Sequence, residues 1–144
     1  MPTRKAPGEV ELSGAARAAA SDEFDARLIV EEMRIGGRRA DLVAVTSKGD
    51  LLAIELKVHD WSRALAQAAT NLVFADFSYV GLWDGSIQRA RIDEAKLMGV
   101  GVILCGIEGE FRVLVPAARS SRACPLTQYE VLKDLTFAGG SASG

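Results

Sequence analysis

Short apolar stretches separated by polar turns dominate the chain, and two of them lie almost back to back: Ala40-Asp41-Leu42-Val43-Ala44-Val45 and Leu51-Leu52-Ala53-Ile54-Glu55-Leu56-Lys57-Val58. Thr46-Ser47-Lys48-Gly49-Asp50 between them is polar and carries a glycine, the composition of a hairpin turn, so the two stretches read as an antiparallel pair. Side chains alternate across a strand. Leu52, Ile54, Leu56 and Val58 therefore share one face, predicted to be core, and Leu51, Ala53, Glu55 and Lys57 share the other, predicted to carry the charge. Pairing Val45 with Leu51 puts Asp41 directly opposite Glu55, with Cβ atoms about 4.5 to 5.5 Å apart. A slip of one residue would separate them. Two carboxylates placed opposite each other destabilise a sheet, so such a pair calls for positive charge beside it, which a bound cation and Lys57 can supply.

The same patterning predicts the remaining elements. Glu11 to Ala20 is alanine-rich and suits a helix, broken by Ser21-Asp22-Glu23, and Leu28 to Ile35 reads as a strand ending at Gly36-Gly37. Asp60 is a good N-cap for a helix to about Phe74, in which Ala64, Leu65, Ala68, Ala69 and Leu72 form an apolar stripe, while Arg63, Gln67 and Asn71 recur every four residues as a polar one. Ser78 to Trp83 is a predicted strand turned by Asp84-Gly85; Asp93 to Met98 is a short helix stopped by Gly99; and Val100 to Cys105 is a buried strand parallel to the Ser78 strand, because a helix intervenes. Glu108-Gly109-Glu110 marks a further hairpin before Pro116, and Leu126 to Leu135 a terminal helix. The polar stretch 1–8 and the Gly/Ser/Ala-rich stretch 138–144 are predicted to be disordered, leaving one folded domain over 9–137.

Composition narrows the function classes. At 144 residues, 49% of them apolar, the chain is long enough for one buried core. The net charge of −2 excludes a globally basic nucleic-acid coat, so any contact with a polyanion must come from a local basic patch. No apolar run approaches the roughly 20 residues a membrane span needs, and Met1-Pro2-Thr3-Arg4-Lys5 is not followed by a signal segment, so the expectation is a soluble, cytoplasmic protein without a membrane partner. Cys105 and Cys124 suggest neither a disulfide framework nor a zinc site and read as free thiols.

The combination of Ala40-Asp41, Glu55-Leu56-Lys57 after a short hairpin, and a following helix with Gln67 resembles the PD-(D/E)xK nuclease superfamily over about Phe24 to Pro116. The resemblance implies an α/β fold with a restriction-endonuclease-like αβββαβ core, a mixed sheet flanked by helices, and metal-dependent hydrolysis of DNA phosphodiester bonds. It implies Mg²⁺ as cofactor, with Mn²⁺ able to substitute, held by Asp41, Glu55 and the backbone carbonyl of Leu56. Lys57 would position or deprotonate the attacking water. Two departures are visible: Ala40 stands where the family has proline, and Asn71 falls where some relatives carry the tyrosine of a helical Gln-x-x-x-Tyr pattern. DNA is the expected partner, RNA cleavage shares the chemistry, and a homodimer follows by family analogy alone.

A divalent ion suits this chemistry because it can activate the water, stabilise charge on the phosphate and assist the leaving oxygen. Mg²⁺ keeps several waters, so two carboxylates and a carbonyl are a sufficient protein share. Many members use one further acid. Glu32 is favoured here, with Glu31 taking the position if the strand register differs, and Glu11 near the first helix as the other candidate. Gln67 would face the site from the helix. Arg34, Arg38, Arg39 and Arg63 surround it in sequence and are the expected phosphate contacts, because guanidinium binds phosphate oxygens bidentately. The plainer reading of Lys57 is a surface lysine paired with Glu55, and the commoner fate of Trp61 and Trp83 is burial in the core rather than stacking on bases. The lone His59 is given no role. Two readings other than DNA or RNA cleavage are a nuclease-like fold that binds nucleic acid without cutting and an interaction module of a larger assembly.

Overall fold

The computed structural model describes residues 8–143. Met1 to Pro7 and Gly144, within the stretches predicted to be disordered, lie outside the described residues. In chain order the elements are α1 (Glu9–Ala18), β1 (Ala26–Ile35), β2 (Arg38–Thr46), β3 (Leu51–Lys57), α2 (Trp61–Thr70), β4 (Phe77–Trp83), α3 (Ile92–Met98), β5 (Gly101–Cys105), β6 (Phe111–Val115) and α4 (Pro125–Ser143). The six strands form one sheet in sequential order, antiparallel from β1 to β3, parallel from β3 to β5, and antiparallel again at β6. The parallel steps are those bridged by α2 and α3, as a parallel return requires. The predicted fold class is observed: an α/β domain with a six-stranded mixed sheet and an αβββαβ core.

Local chemistry sets the boundaries near the hairpin. Gly36 and Gly49 adopt positive φ in the turns on either side of β2, a conformation glycine enters without steric cost. Asp60 accepts the backbone N–H of Arg63 at 3.2 Å and caps α2 as predicted. Gly99, at φ +75°, ends α3 in the left-handed conformation.

Helices cover both faces of the sheet. On one face α1 packs Leu12, Ala15, Ala16, Ala19 and Ala20 onto Leu42, Ala44, Leu52, Ile54 and Leu56, where small side chains let the helix lie close. On the other, α2 and α3 cover Val80, Leu82 and Val102, and α4 lays Val131 and Leu135 beside Met33, Val43, Leu51 and Ala53. β3 is thus enclosed from both sides. Leu51, Ala53 and Glu55 are 1%, 0% and 1% exposed, so the face predicted to carry the charge is buried at these positions. A near-continuous apolar run interrupted by a single acid is what such a two-sided strand looks like in sequence.

Two boundaries differ from expectation. α1 begins at Glu9 and continues through Ser21-Asp22-Glu23 as a π-helical turn over Ala19–Glu23, because Ala19 and Ala20 remain packed on the sheet. α4 runs on to Ser143, through Gly139 and Gly140, where composition predicts disorder.

Close packing near the central strands makes glycine obligatory at one position and optional at another. A Cβ on Gly101 would lie 2.3 Å from the Tyr79 ring and 2.7 Å from the backbone nitrogen of Ala117, the group to which the Tyr79 hydroxyl is hydrogen-bonded. Gly14 in α1 faces open space. Gly101→Ala is expected to destabilise the fold by about 1–3 kcal/mol through overpacking, and Gly14→Ala to stabilise it by about 0.5–1 kcal/mol through helix propensity. Urea unfolding of both variants checks the pair.

Candidate active site

The β2–β3 ladder has the predicted register, from Val45 opposite Leu51 to Leu42 opposite Ile54, and the next residues outward are Asp41 and Glu55. There Asp41 turns its carboxylate onto the backbone of β3, and its Oδ2 accepts the N–H of Leu56 at 2.7 Å. Glu55 is buried, and its Oε1 accepts a hydrogen bond from Asn71 Nδ2 at 3.0 Å. Asn71 Oδ1 in turn accepts from the Arg38 guanidinium. Burial pushes the Glu55 carboxyl from 4.5 up to about 7; the Asn71 amide opposes the shift, the charge and hydrogen bonding of Asp41 reinforce it, and Arg38 offsets part of it. The two carboxyl groups are therefore close enough to compete for one proton.

Beside this pair a cleft of about 280 Å³ is lined by Glu9, Val10 and Ser13 of α1, Glu31 and Glu32 of β1, Asp41 and Leu56. Consecutive strand residues normally point to opposite faces. Glu32 has φ +52°, and this left-handed residue breaks the alternation so that both Glu31 and Glu32 line the cleft. Each outer acid has a cation: Arg17 on Glu31 at 3.2 Å, Arg39 near Glu32 at 3.9 Å, and Lys57 on Glu9 at 3.1 Å. Lys57 thus pairs with Glu9 of α1 and not with Glu55. Of the first-helix acids, Glu11 turns back to the Gly8 N–H of its own helix, at 3.5 Å, whereas Glu9 enters the cleft. A helix read as starting at Glu11 leaves Glu9 outside it; Gly8 as a helix cap, followed by acids in the first turn, is the signal that brings Glu9 in.

The remaining candidates divide. Gln67, one helical turn before Asn71, is half-buried, and its Oε1 is buried without a partner. Arg34 lies in a different groove, with Ile35, Leu126 and Glu130, away from the cleft. Arg63 is exposed in the first turn of α2. Asn71, read as the last member of the polar stripe on the helix after β3, is fully buried. Trp61 and Trp83 are buried, which removes them as base-stacking platforms. His59 bonds to Ser86 at 3.2 Å and meets Trp83 edge-on, and both cysteines are free.

Among the described residues no three His, Cys, Asp or Glu side chains converge into a preformed cage. The donors on offer are two carboxylates, each with one oxygen engaged by an amide N–H, and the main chain of Leu56 between them. That oxygen-only, incomplete set fits an ion that retains its own waters, such as Mg²⁺, and not zinc, which takes a closed nitrogen and sulfur shell at structural sites.

The sheet order and helix placement define an α/β domain with a six-stranded mixed sheet between helices. No family model matches the chain, and no curated protein matches it. Among solved structures, SPO1766, a protein of unknown function from Silicibacter pomeroyi, superposes with a TM-score of 0.72 at 14% identity over 96% of this chain and 90% of that one. That likeness bears on fold alone. Two partial overlaps are SfsA of Pyrococcus furiosus in complex with Ca²⁺ (TM-score 0.42, 15% identity, 74% of this chain and 61% of that one) and a repair endonuclease from Pyrococcus abyssi (TM-score 0.41, 15% identity, 70% and 48%). The chain spans about half to three fifths of those two proteins, and overlaps of this extent carry no weight for function.

Because the folded-state Glu55 carboxyl titrates higher than its unfolded value, the folded protein holds more protons between about 4.5 and 7, and stability falls as pH rises through that window. Glu55→Gln keeps the shape and removes the titration. The metal-free variant is expected to match wild type below pH 4.5 and to exceed it by about 1–3 kcal/mol at pH 8, read as the midpoint of chemical unfolding in EDTA.

Proposed function

We propose that this protein is a metal-dependent nuclease that hydrolyses DNA phosphodiester bonds. The observation that carries the reading is the Asp41–Glu55 pair: two interacting carboxyl groups just beyond the paired stretch of β2 and β3, one buried and pushed up to about 7, with Lys57 two residues along β3. A fold that merely displays acids would leave them in solvent, where their repulsion is screened. Here Glu55 is kept out of water at a cost in stability, and sites that sacrifice stability for function are where pKa values shift in this way.

In this reading Asp41 and Glu55, with the Leu56 carbonyl, hold Mg²⁺ or Mn²⁺, which when bound supplies a low-pKa water and charge neutralisation at the phosphate. Asp41 is oriented by the Leu56 N–H. Lys57 leaves Glu9 to hold the attacking water or a phosphate oxygen; its ion pair is half-exposed on the Glu9 side and costs little to exchange. Gln67, whose side-chain oxygen is buried and unpartnered, would orient the attacking water from α2. Glu31 and Glu32 supply the further acid, Glu32 being the more exposed and the more loosely paired. Arg39 and Arg63, with Arg34 farther out, contact the flanking phosphates, which positions the strand without reading bases. RNA shares the chemistry and is the second substrate to test; a homodimer and a cytoplasmic location remain proposals of the same reading.

The test incubates the protein with plasmid, single-stranded DNA and RNA in Mg²⁺, Mn²⁺ or EDTA. Wild type is expected to cut DNA only with metal, and Asp41→Asn, Glu55→Gln and Lys57→Ala to lose at least about 10²-fold in rate. Because a proton on Glu55 competes with the ion, the metal requirement should steepen as pH falls below about 7. Metal-independent retention of DNA by a chain that never cuts would replace this reading with a binding module.

A further inference from the structure

We propose that Asn71 and Arg38 are positioning residues that together aim Glu55 at the ion, so that Arg38 acts through the amide and not on the phosphate. The inference rests on the nuclease reading of the same site and deepens it.

A carboxylate can only accept hydrogen bonds, a guanidinium can only donate them, and a primary amide does both at its two ends. Asn71 is placed between one of each, with Nδ2 on Glu55 Oε1 at 3.0 Å and Oδ1 on Arg38. Rotating the amide by half a turn would set its oxygen against the carboxylate and its NH₂ against the guanidinium. Arg38 therefore locks the amide in the orientation that Glu55 needs. The backbone of Asn71 is also fixed: its carbonyl accepts from Phe74 and Ala75 at 3.1 and 2.8 Å where α2 gives way to a 3-10 turn. The side chain is fully buried, and in such surroundings a satisfied network is strong and an unsatisfied member costly.

The result is a matched pair of supports. The Leu56 N–H takes one oxygen of Asp41 and the Asn71 amide takes one oxygen of Glu55, so the second oxygen of each carboxyl is the one that would be offered to an ion. Arg38 stands three residues before Asp41 on the same strand, so one edge of β2 supplies a ligand directly and holds the other ligand through α2. Outer partners of this kind set ligand orientation and typically govern metal affinity by about 10–100-fold.

The experiment measures Mn²⁺ affinity of the full chain by electron paramagnetic resonance of the free ion, together with DNA retention in EDTA. Thermal unfolding of each variant confirms that it is folded. Asp41→Asn is expected to abolish binding and reports on the nuclease reading itself. Asn71→Leu and Arg38→Met are expected to weaken Mn²⁺ binding by about 10–100-fold, and Arg38→Lys, which keeps a donor for the amide, to restore most of it. Metal-free DNA retention should be the same in Arg38→Met as in wild type. Unchanged Mn²⁺ affinity in Arg38→Met while Asp41→Asn fails to bind overturns the positioning role and leaves the nuclease reading standing. Loss of metal-free DNA retention in Arg38→Met, with normal Mn²⁺ affinity, returns Arg38 to the phosphate. A wild-type chain that binds no Mn²⁺ removes the nuclease reading and this inference with it.

Discussion

Two carboxyl groups facing each other at the end of a strand pair, one of them shut away from water, oppose folding, and the architecture around them is arranged to hold them there. The register that brings Asp41 to Glu55 is enforced from both sides: a one-residue slip would exchange Leu52 and Ile54, packed under α1, with Leu51 and Ala53, packed under α4. Either set would meet the wrong neighbours. The burial that raises the Glu55 carboxyl is the same burial that fixes its position, so the electrostatic penalty and the geometric order have one origin.

Around that buried centre the charges become progressively exchangeable. Glu55 is tied by an amide in a dry environment, Asp41 by a backbone N–H at the cleft wall, and Glu9, Glu31 and Glu32 by cations in pairs that are partly or largely exposed. Exposed pairs of this kind contribute at most about 1 kcal/mol each. On the proposed function, their cations would transfer to the DNA backbone at small cost while the acids remain. In that way a chain of net charge −2 would offer positive groups beside one cleft without carrying a basic surface.

Features governed by neighbouring residues were legible in the sequence. The hairpin and its register, the Asp60 cap, the Gly99 stop and the parallel step across α3 follow from alternation, capping and crossover rules, and the structure has each of them. What the sequence concealed depends on contacts between distant segments. Asn71 looked like one more member of a polar helical stripe because its partners, Arg38 and Glu55, lie 33 and 16 residues away. Glu9 was passed over for Glu11 because two acids two residues apart on a helix point to different sides and only the packing of α1 decides which enters the cleft. The two-sided burial of β3 was hidden because alternation assigns one face to the core and leaves the other to carry the charge of Glu55 and Lys57.

The turn between β2 and β3 acts as a ruler. Thr46 and Asp50 close it through the Thr46 N–H to Asp50 carbonyl bond at 2.9 Å, and every cross-strand partner as far as the acid pair is counted from that closure. Over evolutionary time this loop can exchange residues but cannot change length by one without dismantling the pair several residues away. The turn between β5 and β6 bears no such burden, so insertions and deletions among descendants of this chain should accumulate there and spare the first hairpin.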